Sequence, residues 1–170
     1  DPSAMPEALQ ENGEKPVILD LYCGVGTIGL YCADEAEQII GIEIVKDAVL
    51  DANRNAVVNG IVNARYICGK AEEILPLYAG QKKDSGRTAN LKEEPSVKTD
   101  PNLAEAISRA SIAILDPPRA GCRPELLEAV IDLGVERIVY VSCDPATLAR
   151  DIKFLGEHGY DLQEATPVDM

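Results

Sequence analysis

The sequence predicts an α/β domain built on a mainly parallel, twisted sheet with helices on both faces. Two observations support this prediction. Short continuous apolar runs, typical of strands buried on both faces, alternate along the chain with longer segments of helical character. Because strand and helix alternate in this way, the strands are expected to run parallel. The 170 residues fit one domain, 1–170, with a hydrophobic core of its own.

The elements follow in order along the chain. The first apolar run, V-I-L-D-L-Y, is too short for a helix and breaks at the glycine-rich C-G-V-G-T-I-G. The helix over 47–59 stops at Asn59-Gly60, a common signal for a helix C-terminus. The predicted strands are 17–22, 38–44, 64–68, 111–115 and 137–141, with a final strand-like piece near 162–168. The predicted helices are 30–37, 47–59, 103–109, 124–133 and 145–158.

Two segments are expected to lie outside this pattern. Residues 1–16 are polar and contain proline, which is typical of a lead-in segment with one short helix. Residues 80–102 are rich in charged and small residues and have little apolar material to fold on. We therefore predict a mobile, solvated insertion there.

Composition excludes several classes of protein. No apolar stretch approaches the roughly 20 residues of a membrane span, and no signal peptide is visible. The five cysteines contain no C-x-x-C pair and the chain has one histidine, which argues against a zinc site or a disulfide framework. Reduced thiols in a cytoplasmic protein are expected. The net charge of −13 lacks the basic excess of a nucleic-acid-binding surface.

The ends of the strands carry the candidate functional residues, since ligands of parallel sheets bind beyond the carboxyl ends of the strands. G-V-G-T-I-G permits a tight turn and close approach of the backbone to a ligand. Glu43 closes the second strand, where its carboxylate could accept both hydroxyls of a ribose. Together they indicate an adenosine-containing cofactor, although the glycines alone could merely shape a turn.

Two features favour S-adenosylmethionine over a nicotinamide dinucleotide. Asp20 lies in the first strand, where a carboxylate suits a cationic amino-acid group better than a pyrophosphate. The fourth strand ends in D-P-P-R, whose two prolines stiffen the backbone and remove two N–H donors. Such a corner could hold a flat base near the cofactor, or it could be only a structural turn.

Cys143 follows the fifth strand in S-C-D-P, with Pro145 at a plausible helix start. A thiolate near a helix N-terminus is favoured by the helix dipole and by free N–H groups, which would make Cys143 a nucleophile. A buried structural role is the alternative, and we expect it for Cys23, Cys32 and Cys68. A thiolate would suit a uracil substrate, because its addition to carbon 6 activates carbon 5 toward methylation.

The strand-end motifs resemble those of the RNA 5-methyluridine methyltransferases, which act on transfer RNA or 23S ribosomal RNA. The matching stretches are L-D-L-Y-C-G-V-G-T-I-G, G-I-E-I-V, L-D-P-P-R-A-G-C and Y-V-S-C-D-P-A-T-L-A-R-D. The resemblance implies a Rossmann-like, class I S-adenosylmethionine-dependent methyltransferase that acts on a uridine in RNA, with ribosomal RNA favoured over transfer RNA. No metal and no membrane partner are expected.

The resemblance also implies roles for particular residues. Cys143 would be the nucleophile. Tyr22, Thr27, Glu43 and Asp116 would contact the cofactor, Gly24 and Gly26 would shape the loop, and Ala71 would lie against the adenine.

Three departures from the family pattern shape what we expect. The family's N-terminal β-barrel and central RNA-binding region are not in this sequence, and a glutamine upstream of the first strand has no match. The catalytic glutamate of the last strand is expected beyond residue 170, so Glu164 and Asp169 are not assigned to it. We therefore expect an excised catalytic domain without its last strand, inactive or weak alone, with the RNA-gripping surface elsewhere.

Other functions remain open at this point. A D-P-P corner also suits an amino-group methyltransferase, which leaves Cys143 unexplained. An NAD-dependent oxidoreductase needs only the glycine loop and Glu43. A non-catalytic module that binds cofactor or RNA is a third alternative.

Overall fold

The computed structural model describes residues 14–83 and 100–168. The strands in these ranges are β1 (Val17–Leu21), β2 (Gln38–Glu43), β3 (Ala64–Cys68), β4 (Ala110–Leu115) and β5 (Arg137–Tyr140). The α-helices are α1 (Thr27–Tyr31), α2 (Lys46–Val58), α3 (Ala71–Lys83), α4 (Pro101–Ser108), α5 (Pro124–Leu133) and α6 (Pro145–Glu157), with a 3-10 turn at Ala33–Glu35. None of the helices in the described part of the chain is long and apolar enough to cross a lipid bilayer.

The strands form one parallel sheet in the order β3-β2-β1-β4-β5. After β3 the chain crosses to the far side of β1, so the strand order reverses between β1 and β4. Leu21, at the end of β1, pairs with Ile42 of β2 and with Leu115 of β4. The loops that follow these three strands are therefore brought to one edge of the sheet.

Helices cover both faces of β1, which explains its uninterrupted apolar sequence. Val17, Leu19 and Leu21 belong to a core that also contains residues of α3, α4, α5 and α6. Ile18 points into a second core, formed with β4 and the 3-10 turn. The predicted parallel sheet with helices on both faces is confirmed.

Most predicted boundaries lie within one residue of those observed: this holds for all five strands and for α2, α5 and α6. Helix α4 begins two residues earlier than predicted. There the Asp100 carboxylate caps the helix by accepting a hydrogen bond from the Asn102 N–H at 3.0 Å, and Pro101 occupies the first turn.

The first helix was wrongly predicted at 30–37. It begins directly after Gly26, which adopts a left-handed conformation with φ of 81° and caps it. It then gives way to the 3-10 turn, where the Asn63 side chain donates hydrogen bonds to the carbonyls of Ala33 at 2.8 Å and Ala36 at 2.9 Å. A side chain distant in sequence thus binds carbonyls that a continuing helix would have used.

Helix α3 was not predicted. The acidic first turn of this helix is a helix signal, but Pro76, which lies inside the helix, disfavours helical structure. The packing of its apolar face in the core beside α5 outweighs that cost. Helices α3 and α4 extend into both ends of the predicted 80–102 insertion. The remainder, 84–99, lies outside the described residues, as does most of the lead-in, 1–13.

The strand predicted near 162–168 is wrong. Residues 161–168 are exposed and irregular, and they pair with no strand in the described part of the chain. A strand gains stability from a hydrogen-bonded neighbour and a buried face. The segment has neither, and Leu162 and Val168 stay 61% and 72% exposed.

Candidate active site

A cavity of about 370 Å³ opens at the carboxyl edge of the sheet. Small-molecule sites commonly measure about 300–1,000 Å³. Its walls come from the ends of β1, β2, β3 and β4, which flank the reversal of strand order. The lining residues are Tyr22, Ile42, Glu43, Ile44, Gly69, Lys70, Ala71, Glu72, Asp116 and Pro118.

The predicted cofactor residues divide into two groups. Tyr22, Glu43, Ala71 and Asp116 lie in the wall of this cavity. Gly24, Gly26 and Thr27 are not among the lining residues; they form the loop after β1 and the start of α1. The position of the first group is compatible with the predicted cofactor contacts. The predicted contact of Thr27 and the loop-shaping role of Gly24 and Gly26 stay predictions.

The Glu43 carboxylate ties the glycine loop to the end of β2. Its Oε2 accepts a hydrogen bond from the Gly24 N–H at 3.0 Å, and its Oε1 accepts one from the Val45 N–H at 2.9 Å. Because an ionised carboxylate offers about four acceptor positions, both oxygens keep capacity for hydroxyl groups in the cavity.

The glycine loop needs glycine for two different reasons. Gly24 and Gly26 have φ angles of 54° and 81°, in the left-handed region that side chains disfavour. A Cβ at Gly26 would also lie 2.7 Å from the Tyr66 ring, whereas one at Gly24 would meet nothing within 4 Å. The Tyr66 hydroxyl donates a hydrogen bond to the Gly26 carbonyl at 3.2 Å, so this loop is packed directly onto β3.

Asp20 does not face the cavity, which corrects the prediction that it receives a cationic part of the cofactor. It is 1% exposed, and its Oδ2 accepts a hydrogen bond from the Gly29 N–H of α1 at 3.0 Å. Its Oδ1 is buried without a hydrogen-bond partner among the described residues. Burial raises the pKa of Asp20 to about 6. Asp20 thus anchors α1, at an electrostatic cost.

Tyr22 is the strained residue of the site. It has a φ of 63°, an uncommon value for a residue with a side chain, and strain of this kind concentrates at functional positions. Its N–H donates to the Ile42 carbonyl at 3.0 Å. It lines both the first cavity and a second of about 520 Å³ that extends toward α5 and α6. The sequence motif indicates Tyr22, but the backbone strain has no sequence signal.

The D-P-P-R corner follows β4 directly. The Asp116 N–H donates to the Leu21 carbonyl at 3.2 Å, and partial burial raises the pKa of the Asp116 carboxyl. Pro118 lies in the walls of both cavities, and its carbonyl accepts a hydrogen bond from the Gly121 N–H at 2.8 Å. The corner is thus a closed turn at the boundary between the two cavities.

Cys143 is exposed at the end of the loop between β5 and α6. Pro145 occupies the first turn of α6, as predicted. The expected free N–H groups, however, are taken: the Asp144 carboxylate accepts from the N–H groups of Ala146 at 2.9 Å and Thr147 at 3.1 Å. These two N–H groups are therefore bonded to Asp144, which corrects the prediction of free N–H groups at this helix start. The activation of the Cys143 thiol stays a prediction.

The other cysteines differ from Cys143 in exposure or in partner. Cys122 is 4% exposed, and burial raises its thiol pKa to about 12. Burial also raises the thiol pKa values of Cys23 and Cys32. Cys68 is exposed rather than buried as expected, and its thiol donates to the Ile44 carbonyl at 3.6 Å. Within 14–83 and 100–168, no three His, Cys, Asp or Glu side chains are grouped to hold a metal ion.

Comparison with known proteins places these features in a family. The family described as tRNA (Uracil-5-)-methyltransferase matches residues 6–165. An uncharacterized RNA methyltransferase of Lactobacillus johnsonii is 40% identical over 96% of this chain and 31% of its own length. One from Bacillus cereus is 43% identical over 94% of this chain and 29% of its own length. The chain thus spans about three-tenths of these relatives.

Solved structures agree in fold. The tRNA (uracil-54, C5)-methyltransferase of Pyrococcus abyssi, solved with S-adenosyl-L-homocysteine, matches 86% of this chain and 29% of its own with a TM-score of 0.57 and 33% identity. An rRNA methylase of Streptococcus thermophilus matches 87% of this chain and 72% of its own with a TM-score of 0.55, and at 15% identity it supports the fold alone. The sheet is that of Rossmann-like class I methyltransferases. This chain belongs to the tRNA (uracil-5-)-methyltransferase family.

Proposed function

We propose that the chain is the catalytic domain of an S-adenosylmethionine-dependent enzyme that methylates carbon 5 of a uridine in RNA, with Cys143 as nucleophile. One observation carries the proposal: the cavity, the D-P-P-R corner and the loop bearing Cys143 all lie at the carboxyl edge of one parallel sheet. The family assignment and the shared uracil-methyltransferase fold support it.

The first cavity fits the cofactor in size and in chemistry. Its volume of about 370 Å³ is at the lower end of the range for small-molecule sites. Glu43 brings acceptor oxygens for ribose hydroxyls, and Ala71, which is 2% exposed, brings a small apolar surface for an adenine. Asp116 brings a second carboxylate to the lining, which would hold the cationic amino group that the sequence analysis assigned to Asp20.

The cofactor, when bound, supplies a methyl group on a sulfonium. Carbon 5 of an unmodified uracil is too weak a nucleophile to attack that methyl group. We assign to the thiolate of Cys143 the role of activating carbon 5. Its sulfur bonds to carbon 6, and the electrons of the 5,6 double bond move toward carbon 5 and the carbonyl at carbon 4. After methylation, a base removes the proton from carbon 5, and the carbon–sulfur bond breaks to release the thiolate. We assign no residue of the described ranges to that base.

The RNA is expected to be gripped mainly by parts of the protein other than this domain. The net charge of −13 does not favour a phosphate backbone. That the substrate is 23S ribosomal RNA rather than transfer RNA stays a prediction. The description of the family and the name of the Pyrococcus abyssi enzyme both mention transfer RNA.

The test uses the longest natural form of the protein that contains these residues. It is incubated with S-adenosylmethionine and either transfer RNA or 23S ribosomal RNA, and nucleosides are analysed by mass spectrometry. We expect 5-methyluridine in one RNA, and a fall of at least about a thousandfold for Cys143→Ala. RNA with 5-fluorouridine at the target should remain bonded to the wild type, since fluorine cannot leave as a proton.

The matched control is Cys68→Ala, which removes the other exposed thiol. It should leave both methylation and adduct formation unchanged. A 5-fluorouridine adduct that survives Cys143→Ala would contradict the assignment of the nucleophile. Methylation of an exocyclic amine in place of carbon 5 would favour the amino-group alternative.

A further inference from the structure

A buried carboxylate lies in α6, two turns after Cys143. Asp151 is 2% exposed, and its Oδ2 accepts hydrogen bonds from the Cys122 N–H at 2.8 Å and the Tyr140 hydroxyl at 2.6 Å. Burial first, and the Asp151 hydrogen bond next, raise the pKa of Tyr140, so its hydroxyl remains a donor. A carboxylate taken out of water needs such partners, because an uncompensated buried charge is costly.

Arg150 completes the partners of this carboxylate. Its Nε and Nη2 both lie 2.8 Å from Oδ1 of Asp151. The same guanidinium donates through Nη2 to the carbonyls of Ala120 at 3.0 Å and Cys122 at 3.2 Å. One planar group therefore joins the buried carboxylate to two carbonyls of the loop that follows the D-P-P-R corner, a geometry that a lysine ammonium does not reproduce.

The loop at 119–122 fits closely against this pair. Gly121 has a φ of 76°, and a Cβ added to it would lie 2.7 Å from Oδ2 of Asp151 and clash with the Arg150 guanidinium. A further hydrogen bond runs from the Thr147 hydroxyl to the Arg119 carbonyl at 3.1 Å. We call the contacts of Asp151, Arg150 and Thr147 with this loop the α6 clamp.

The α6 clamp joins the two parts that the proposed reaction must align. The clamped loop continues directly from the D-P-P-R corner, and α6 begins two residues after Cys143. Below the clamp, β4 and β5 pair through Leu115 and Tyr140. Strand β5 is only partly buried, with Val139 45% exposed, so the sheet alone gives limited support on this side.

We propose that Asp151 and Arg150 are positioning residues, which hold the corner that receives the target base at a set distance and angle from the Cys143 thiol. This inference rests on the proposed function. Neither residue lines the first cavity, so neither is expected to bind the cofactor. Misplacement of a reacting group by about 1 Å can cost on the order of a hundredfold in rate, which sets the expected size of the effect.

Arg150→Lys is the principal variant, because the Arg150 side chain is 54% exposed and the change keeps the charge. Asp151→Asn is the stronger variant, since an amide would turn an N–H group toward donors that now meet a carboxylate. Glu157→Gln, which removes an exposed carboxylate at the far end of α6, is the matched control. All are made in the longest natural form of the protein.

Four quantities are measured for each variant: affinity for S-adenosylhomocysteine, alkylation of Cys143 by iodoacetamide, KM for RNA, and the single-turnover rate of adduct formation with 5-fluorouridine RNA. For Arg150→Lys we expect adduct formation to slow by about 10–100-fold, with the first three within about twofold of wild type. Asp151→Asn should lower the rate further, and Glu157→Gln should change nothing.

Three outcomes would count against the inference. An unchanged adduct rate in Arg150→Lys would overturn it, while the proposed function would stand. Equal losses of cofactor affinity, thiol alkylation and adduct rate would overturn it in favour of a purely structural role. If the wild-type protein forms neither 5-methyluridine nor an adduct, both proposals are overturned.

Discussion

Each half of the sheet has a buried carboxylate that holds a neighbouring segment in place, and only one of the two is paired with a cationic side chain. Asp20, in the half formed by β1 to β3, and Asp151, in the half from β4 to α6, are 1% and 2% exposed, and each accepts a hydrogen bond from a loop or helix N–H group. Asp151 is paired with Arg150. Asp20 has an oxygen without a partner among the described residues.

The difference shows how each half achieves its geometry. The half formed by β1 to β3 depends on glycine sterics and on backbone N–H groups bonded to Asp20 and Glu43. The half from β4 to α6 depends on the α6 clamp, whose carboxylate is paired with Arg150 and whose loop includes Gly121. We therefore expect both halves to respond to glycine substitution, the first also to pH, and the second also to loss of specific hydrogen bonds.

The largest effect is expected for Gly26→Ala. The new Cβ would meet the Tyr66 ring at 2.7 Å, and the left-handed φ of 81° adds strain. Overpacking and backbone strain together should lower the free energy of unfolding by about 3–4 kcal/mol, measured by urea titration. Gly60→Ala is the control: its φ is 69° but its Cβ would meet nothing within 4 Å, so about 1–2 kcal/mol is expected. Equal losses would contradict the role of Tyr66.

A second prediction concerns the pH dependence that Asp20 imposes. Its pKa is raised from 3.8 to about 6, chiefly by burial, so the folded state binds the proton more tightly than the unfolded state. The free energy of unfolding should therefore fall as the pH rises from about 4 to about 6, and level off above that, with a total of at most about 3 kcal/mol.

Asp20→Asn removes this titration while it keeps an acceptor for the Gly29 N–H. Unfolding of wild type and variant is compared between pH 4 and pH 7.5. The advantage of the wild type over the variant should shrink from about pH 4 to about pH 6 and stay constant above that, whatever its absolute size. A pH-independent difference between the two would show that Asp20 is already compensated, and the contrast with Asp151 would disappear.

A third prediction separates the cofactor site from the fold. Glu43→Gln leaves one carbonyl oxygen for two backbone N–H groups and for the ribose, so affinity for S-adenosylhomocysteine should fall by about tenfold, or about 1.4 kcal/mol. Isothermal titration calorimetry measures it. Glu157→Gln, at the far end of α6, is the control and should bind normally. Unchanged binding in Glu43→Gln would place the ribose elsewhere.

The smallest effect is expected for Thr147→Val, which removes the hydroxyl that bonds the carbonyls of Arg119 and Asp144 and keeps the shape of the side chain. The loss should be about 1 kcal/mol in the free energy of unfolding, with cofactor affinity unchanged. Hydrogen exchange should quicken at the N–H groups of 119–122 and not in the glycine loop. Faster exchange in both loops would show that the halves are not held independently.

Local signals in the sequence were sufficient for elements whose packing agrees with them. Strand β1 and helix α5 were predicted almost to the residue, since a short apolar run and an amphipathic repeat each match the burial observed. Helix α3 was missed because Pro76 opposes a helix locally, while burial of Ala71, Leu75 and Ala79 in the core favours it. The prediction of a strand near 162–168 was wrong for the converse reason: its pattern is suitable, but no strand within 14–83 and 100–168 pairs with it.

By itself, the sequence determined the parallel α/β fold and the strand-end motifs, with Glu43, Asp116 and Cys143 at one edge of the sheet. It could do so because alternation of elements brings the carboxyl ends of parallel strands together. Successive side chains of a strand point to opposite faces of the sheet. Only the tertiary structure decided that the face of Asp20 is the one covered by α1. The α6 clamp likewise joins Cys122 and Asp151 across 29 residues of sequence, a contact that no local pattern specifies.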